Sequence, residues 1–438
     1  MGRSVTLRRD RQAQVLQRVN SEFYSQQNFA EHLVFSASTV SNFVNCKPVD
    51  RTKFIDMCER LGLENWCEYA APPNQSNSNN HRSEELVQSI PNQTSISNLE
   101  SPTLEYPEGQ IQVGSPFYIE RPPIEERCYE EITRDGALIR IKAPKRMGKS
   151  SLLARILHRA EQQGDRTVYL SLESAASSRF ENADTFLKWF CASVARALDL
   201  SPNLDEYWEL AGLMGGNLCC EGYFEKYLLA EIDRPITLGL DDVDKVFGYP
   251  DIYPDFLGLL RVLHEQAKQH PIWRRLRLVI AHSTEVYIPI NLNQSPFNVG
   301  LPVGLLEFTL EQILWGANNY QLNWSQTEVR QLMEMVGGHP YLVGLALYHI
   351  ARNDLSLEEL LETAPTPTGI YSTYLRRIES ILEENSELTA GMEELITNAQ
   401  QAQLSNKTCS KLNALGLIKV ENGRTLLTCE LYRQYFFR

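Results

Sequence analysis

The 438-residue chain has no apolar run approaching the roughly eighteen residues that cross a bilayer, so neither a membrane span nor a secretory leader is expected. It has no C-x-x-C pair among its nine cysteines, an odd number of which only Cys219 and Cys220 are adjacent. Zinc and disulfide frameworks are therefore excluded as organising principles, and a reducing, cytoplasmic setting is expected. An excess of positive charge is also missing. The formal net charge is −13, which argues against general coating of nucleic acid. No internal repeat is visible. No nucleophile–base pair stands out of the kind that marks an ordinary small-molecule enzyme.

The charge that is present is unevenly placed. Residues 1–70 hold nine Lys/Arg and eight Asp/Glu, so the remainder carries −14. Near the N-terminus Arg3, Arg8, Arg9, Arg11 and Arg18 stand against one acid, Asp10. That is either a basic patch or a solvated basic helix. The length implies roughly two to four domains. Residues 72–113 are rich in Asn, Ser, Gln and Pro, with few large apolar side chains. Such a segment cannot offset its own ordering entropy and reads as a flexible linker. Residues 1–71 then form a separate small domain.

That domain reads as all-helical. Phe29–Leu33 predicts a short helix, and Ser36–Ser38 a turn. Thr39–Val44 predicts a second helix with Val40, Phe43 and Val44 on one face, ended by Pro48. Phe54, Ile55, Cys58 and Leu61 then recur at helical spacing up to Gly62. Two short helices about a tight turn resemble the helix-turn-helix of phage-repressor-like regulators, whose second helix enters the DNA major groove. The resemblance implies base contacts by Ser38, Thr39, Ser41 and Asn42, and phosphate contacts by Lys47, Arg51 and Lys53. A helical bundle that binds protein, or merely folds, accounts for the same residues.

From residue 114 to 307 short aliphatic runs alternate with helical segments. Leu138–Ile141, Val168–Leu172, Ile236–Leu240 and Leu278–Ala281 predict strands, separated by helices such as Ser151–Gln163 and Thr185–Leu198. This alternation predicts a parallel sheet flanked by helices. From 308 to 385 the strands stop. Helices are predicted over 310–319, 325–336, 341–352 and 357–362, the last capped by Ser356, making a helical lid. Residues 386–438 predict helices over 388–398 and 406–415, a hairpin turning at Asn422-Gly423, and a final helix, the pattern of a winged-helix module.

The strand at 138–141 runs into Ala143-Pro-Lys-Arg-Met-Gly-Lys-Ser150 and then an amphipathic helix. Strand, compact loop and helix N-terminus together form the cradle that holds nucleotide phosphates. Backbone N–H groups of Lys145, Arg146, Met147, Gly148, Lys149 and Ser150 would wrap the β-phosphate. Lys149 would neutralise β- and γ-phosphate oxygens, Ser150 would place a hydroxyl on Mg²⁺, and Ser151 would reach the α-phosphate. Ala143 replaces the glycine that usually opens such a loop, while Pro144 stiffens the corner.

Three further parts complete the expected site. The apolar strand at 236–240 ends in Asp241-Asp242. Asp241 would hold Mg²⁺ and Asp242 would polarise the attacking water, slowly, being one methylene shorter than a glutamate. Asp244 is an alternative, or a partner for Lys245. The strand at 278–281 ends in His282-Ser283-Thr284, where Ser283 or Thr284 would sense the γ-phosphate, or simply form a polar turn. Arg274, Arg275 and Arg277 precede it; one would reach a neighbouring subunit's phosphate, unless all three are ordinary surface residues. Gly337-Gly338-His339-Pro340 opens a helix that closes over the nucleotide, or an ordinary helix–helix turn.

The segments SPFYIERPPIE, APKRMGKSSLL, LDDVD, HSTEVY, SPFNVGLP, GGHPYLV and LYRQYF, in this order, resemble the AAA-like ATPase domain family abundant in cyanobacteria. The resemblance covers about residues 113–438 and includes the alanine at 143. More broadly the chain is similar to the STAND signalling ATPases, in which a P-loop domain, a lid and a winged helix form a nucleotide-gated switch. By that resemblance Phe117, Tyr118 and Ile119 line the adenine pocket and Pro340 contacts the nucleotide from the lid. The expected fold is thus an α/β P-loop NTPase with an all-α N-terminal domain, a helical lid and a C-terminal winged-helix module. The expected function is a slowly hydrolysing, ATP·Mg²⁺-dependent switch that couples nucleotide state to the N-terminal domain and forms nucleotide-dependent homo-oligomers. Its alternatives are a double-stranded-DNA-binding regulator and a catalytically idle scaffold for a protein partner bound through residues 1–71.

Overall fold

The computed structural model describes residues 4–8, 11, 15, 18–19, 37–44, 46–61, 63, 69–70, 104–209, 211–285, 296–398, 404–421 and 424–436. The chain divides into two compact units, Met1–Ser97 and Asn98–Arg438. The predicted helix Phe29–Leu33, Gly62 and the Asn422-Gly423 turn lie outside the described residues.

In the first unit, helix α1 (Ala37–Val44) buries Val40, Phe43 and Val44 completely. Phe43 meets Phe54 of α2 (Arg51–Arg60) edge-on, with ring centroids 5.1 Å apart. Met57, Cys58 and Leu61 complete this core. Asp50 Oδ1 accepts the Thr52 and Lys53 N–H groups at 3.0 and 3.4 Å, which starts α2. The all-helical expectation needs correcting. Strand β1 (Ser4–Val5) pairs antiparallel with β2 (Val49–Asp50) between the two helices. Pro48 bars helix continuation, and β-branched Val49 suits an extended, buried position.

The second unit is built on a five-stranded parallel sheet. Its strands are β3 (Leu138–Ala143), β4 (Arg166–Ser171), β5 (Ile236–Asp241), β6 (Leu276–Ser283) and β7 (Leu301–Gly304), in spatial order β4-β5-β6-β3-β7. The short edge strand β7, with Pro302 and Gly304, carries too weak a pattern to be predicted. β5 and β6 are buried almost throughout, which is why they read as continuous apolar runs rather than alternating ones. Helices α3 (Ile124–Glu131), α4 (Lys149–Gln162), α5 (Ala183–Ala197), α6 (Gly216–Tyr223) and α7 (Tyr253–Gln266) cover the sheet. Strand ends are aligned by register: Ala143 pairs with Ser283, and Ser171 with Asp241. Inserting β6 between β3 and β5 therefore sets Ser283 between the loop after β3 and the acids after β5.

Beyond the sheet the chain is helical: α8 (Leu310–Asn319), α9 (Gln326–Val336), α10 (Pro340–Ala351), α11 (Leu357–Thr363), α12 (Ser372–Glu383), α13 (Ser386–Thr397) and α14 (Asn406–Ala414). Capping boxes at Thr309/Gln312, Ser325/Glu328 and Ser356/Glu359 fix the starts of α8, α9 and α11. The hairpin β8 (Ile418–Glu421) and β9 (Arg424–Leu427) precedes α15 (Glu430–Phe436). One hydrophobic core runs from Ile313 and Leu345 through Leu375 and Leu395 to Leu417 and Tyr432. The lid segment and the C-terminal segment thus share a core.

Residues 104–113, assigned to the linker by composition, are packed. The Ile111 N–H donates to Ser151 Oγ at 2.9 Å, and Tyr106 lies edge-on to Tyr348, centroids 5.2 Å apart. Among the described residues no helix is long and apolar enough to cross a membrane.

Candidate functional site

The loop after β3 starts α4 with Gly148 at φ 93°, a left-handed conformation that a side chain would strain. A Cβ there would also stand 3.0 Å from the Arg121 guanidinium. Lys149 follows at the first position of α4. It is 9 % exposed, and its Nζ donates to the carbonyls of Ala143 and Pro144 at 3.2 and 2.8 Å. Burial lowers its pKa below the ordinary lysine value, against the pull of Asp244, Glu285, Asp241 and Asp242. One cation thus faces four carboxylates at the ends of β5 and β6.

Those carboxylates are individually held. Asp241, 1 % exposed, accepts the Tyr169 hydroxyl at 2.9 Å and the Asp242 N–H at 3.0 Å. Asp242 adopts φ 53°, ψ 38°, a conformation unusual for a non-glycine residue, and accepts the Ser171 hydroxyl at 2.7 Å. Burial raises its carboxyl pKa; the Ser171 bond opposes this, and Asp241, Asp244 and Glu173 add to it. Asp244 accepts the Ser283 N–H at 2.6 Å. Glu285 accepts the Lys145 N–H at 3.0 Å and pairs with Arg377 of α12, so the loop, the end of β6 and the lid meet at one carboxylate.

Of these groups Lys149, Tyr169, Asp241, Asp242, Asp244 and Ser283 line one cavity of about 680 Å³. The sequence-predicted residues Phe117, Tyr118, Ile119, Lys145, Arg146, Gly148, Lys149, Ser150, Ser151, Asp241, Asp242, Ser283 and Pro340 all border it. Three others do not. Met147 turns into the core at 2 % exposure, and Pro144 contributes only its carbonyl to Lys149. Thr284 donates its hydroxyl to the Ala414 carbonyl at 2.6 Å, so only Ser283 of the sensor pair faces the cavity. Strand alternation separates the two neighbours. Ser151 Oγ already accepts from Ile111. Arg277 is buried against Asp165, and Arg275 donates to the Leu229 and Ile232 carbonyls, which leaves Arg274 as the exposed member of that trio.

Arg121 and Tyr169 of the cavity wall were not anticipated, nor were Ser171 and Arg377 behind it, and of Arg146 only the backbone N–H was expected to take part. Arg121, 4 % exposed, donates to the Met147 carbonyl at 2.8 Å, while its Nε has no partner among the described residues. Arg146, at φ 62°, lies 4.2 Å over the Tyr341 ring and 5.9 Å over that of Tyr374. Tyr169 and Ser171 were detectable in principle, as side chains at the end of a predicted strand. Arg377 carries no local signal.

No group of three or more His, Cys, Asp or Glu among the described residues forms a ready metal cage. Asp241 and Ser150 suit Mg²⁺, which keeps several waters and shares phosphate ligands instead of taking an all-protein cage. Asp241 has lone pairs left after its two hydrogen bonds, so the donor set fits that ion.

In the first unit Lys47, Arg51 and Lys53 are exposed and Thr39 and Asn42 half-buried. Ser38 and Ser41 lie on α1, with side chains outside the described set.

The sequence profile of the AAA-like domain family matches residues 106–438. An uncharacterized WD repeat-containing protein of Synechocystis sp. is 25% identical over 244 residues, covering 53% of this chain and 20% of that protein. The chain therefore spans only about a fifth of that relative's length. Among solved structures, the Walker-type ATPase of Pyrococcus abyssi is similar in fold, with a TM-score of 0.51 at 12% identity, covering 73% of this chain and 96% of that one.

Proposed function

The chain belongs to the AAA-like domain family, and from that premise we propose that residues 106–438 are an ATP-binding, slowly hydrolysing switch of the STAND type that sets the state of residues 1–71. One observation carries the reading: Lys149, Asp241, Asp242 and Ser283 converge on a single cavity whose opposite wall is Pro340 and Tyr341 of the helical segment.

ATP would enter with its phosphates at Lys149 and its base toward Phe117 and Ile119. Lys149 would exchange two neutral carbonyl acceptors for charged phosphate oxygens, a stronger pairing. Asp241 and Ser150 would hold Mg²⁺, which when bound supplies charge neutralisation between the β- and γ-phosphates. Asp242 would accept a proton from the attacking water, and Ser283 would contact the γ-phosphate. The engagement of Asp242 with Ser171, and its unusual backbone, support slow turnover.

Coupling runs through contacts between loop and lid. Arg146 on Tyr341 and Glu285 between Lys145 and Arg377 both join the phosphate loop to helices α10 and α12. A γ-phosphate next to Glu285 would compete with it for the Lys145 N–H. The shared core from α8 to α15 supports movement of the lid and the C-terminal segment as one body, which we read as lid plus winged helix. The free energy available for switching is the difference in affinity of the two conformations for ATP and ADP. Size-exclusion chromatography of the full chain, apo, with ADP and with non-hydrolysable ATP, tests the switch. A nucleotide-dependent change in assembly or compactness, absent in Lys149→Ala, supports it; identical elution in all states refutes it.

A second reading, a DNA-binding regulator, draws on Lys47, Arg51 and Lys53 exposed beside α1. It predicts duplex binding that weakens steeply with salt. No binding at low salt, with or without ATP, would end it.

A further inference from the structure

Helices α5 and α6 lie between β4 and β5 in the chain and meet at a glycine. A Cβ added to Gly216 would stand 2.9 Å from Leu187 Cδ1, so α6 approaches α5 there more closely than a side chain would allow. One turn further along both helices Cys191 meets Cys220, with the two sulfurs 3.5 Å apart. Both thiols are fully buried, and Cys219, 5 % exposed, precedes Cys220 in α6. The described cysteines are all free. Tyr223, one turn beyond Cys219, is fully buried as well, and its hydroxyl has no hydrogen-bond partner among the described residues. Burial raises the pKa of that phenol, and Cys191 is the next cause, ahead of Tyr227 and Tyr207.

A buried cysteine is ordinarily a small apolar side chain. Two observations set this pair apart. A disulfide needs its sulfurs about 2.0 Å apart, so rotation about the side-chain bonds has only about 1.5 Å to close. The Tyr223 hydroxyl is a buried donor with nothing to donate to, which is costly, and an oxygen or anionic sulfur formed beside Cys191 would give it a partner. Access comes from the start of α6. Leu213, Met214 and Leu218 are exposed there, and Gly215 has φ 80°. The first turns of α6 are therefore held by few apolar contacts, the condition for local opening.

We propose that Cys191 and Cys220 are a modification site, a reversible disulfide-forming pair whose reagent is a hydroperoxide and whose product ties α5 to α6. One sulfur attacks a peroxide oxygen; the O–O bond breaks, water leaves and a sulfenic acid remains. The second sulfur attacks the first; the S–O bond breaks, the S–S bond forms and a second water leaves. Two thiols and one hydrogen peroxide thus give one disulfide and two waters, each sulfur losing one electron and the peroxide gaining two. A dithiol reverses the change by exchange. In a reducing setting such a bond is transient, not structural. Burial holds the Cys191 thiol well above its ordinary pKa, so the closed form keeps it protonated and unreactive, and oxidation waits on the opening of α6.

The test treats the full, reduced chain with hydrogen peroxide under native conditions, blocks the remaining thiols and maps peptides by mass without reduction. The expected product is a linked Cys191–Cys220 peptide pair, lighter by two hydrogens than its parts and separated again by dithiothreitol. The link joins positions 29 residues apart. Hydrogen exchange of α5 and α6 should therefore slow by about a hundredfold in the oxidised chain, the scale of closing a loop of that length. Cys219→Ala should still form the link, and Cys191→Ala should not. Both thiols recovered free from the folded chain, and linked only in urea, would overturn the proposal. So would oxidation of both to sulfinic acids without a link, a link from Cys220 to Cys219 instead, or a linked chain whose α5 and α6 exchange at the reduced rate. Should Cys191→Ala fail to fold, the wild-type peptide map decides by the same criteria.

Discussion

Replacing Arg277 by Met removes the cation from the most buried ion pair among the described residues. Its side chain is 9 % exposed and that of Asp165 2 %. Asp165 sits at the turn before β4 and accepts Arg277 Nη1 at 2.7 and 2.6 Å and the Thr237 hydroxyl at 2.6 Å. Arg277 also donates to the Arg134 and Thr133 carbonyls at 3.2 and 3.3 Å. The network therefore staples β4, β5 and β6 at the end of the sheet opposite the cavity. Methionine fills the volume but leaves a buried carboxylate with one hydroxyl for company, at a cost of about 3–5 kcal/mol. The chain has more than one unit, so a global melt is the wrong readout. Hydrogen exchange of peptides covering β4, β5 and β6 should instead accelerate by roughly two to three and a half powers of ten. Asp165→Leu combined with Arg277→Met should recover at least half of the loss, because no charge is then stranded. ATP affinity should be unchanged, since Arg277 lies at the far end of β6 from Ser283. Acceleration below about tenfold, or a double variant worse than the single one, would refute the assignment of Arg277 as a staple.

Further outcomes follow from other sites. Ser171→Ala removes the hydrogen bond that holds the Asp242 carboxyl down, so the acid limb of any ATP turnover profile should move to higher pH; a limb that stays put or moves down excludes Asp242 as the titrating base. Burial lowers the imidazoles of His282 and His339 to about 4 and about 3. Both stay neutral in the folded chain while the unfolded chain protonates near 6.5, so stability is full above pH 6.5 and falls as pH drops toward 4 and then 3. His282→Asn should flatten the upper part of that fall, a difference on the order of 3 kcal/mol, read as hydrogen exchange of β6 peptides relative to wild type at each pH; curves of equal slope would contradict it. Gly338→Ala should destabilise the junction between sheet and lid by at least about 1–2 kcal/mol, since Gly338 has φ +76° and an added Cβ would stand 2.4 Å from the Phe308 carbonyl. Faster exchange around residues 308 and 338 is the expected signature, and wild-type exchange the contrary one.

The sheet was legible where burial on both faces produces uninterrupted aliphatic runs, as in Leu278–Ala281, and the lid helices where Ser or Thr is followed by Glu or Gln three residues later. The phosphate loop was legible because its chemistry is local: Gly148, Lys149 and Ser150 are consecutive. The short strand Leu301–Gly304 was not, because its neighbour β3 defines it and its own side chains do not. The segment 104–113 looked like linker because composition cannot register Arg155 and Ser151, which hold it from more than forty positions away in the sequence for Arg155. The Glu285–Arg377 pair is separated by 92 residues and left no trace in either local pattern. Among the three arginines at 274–277, only the fold distinguishes a buried staple from an exposed side chain.

Equilibrium binding of labelled ATP with Mg²⁺ to the full chain and to Lys149→Ala is the most direct test of the nucleotide site. Removing the buried ammonium takes away charge-assisted hydrogen bonds worth about 1.5–3 kcal/mol, so affinity should fall at least about tenfold while the fold of residues 106–438 is kept. Equal affinity in the two proteins, or none in either, would contradict it.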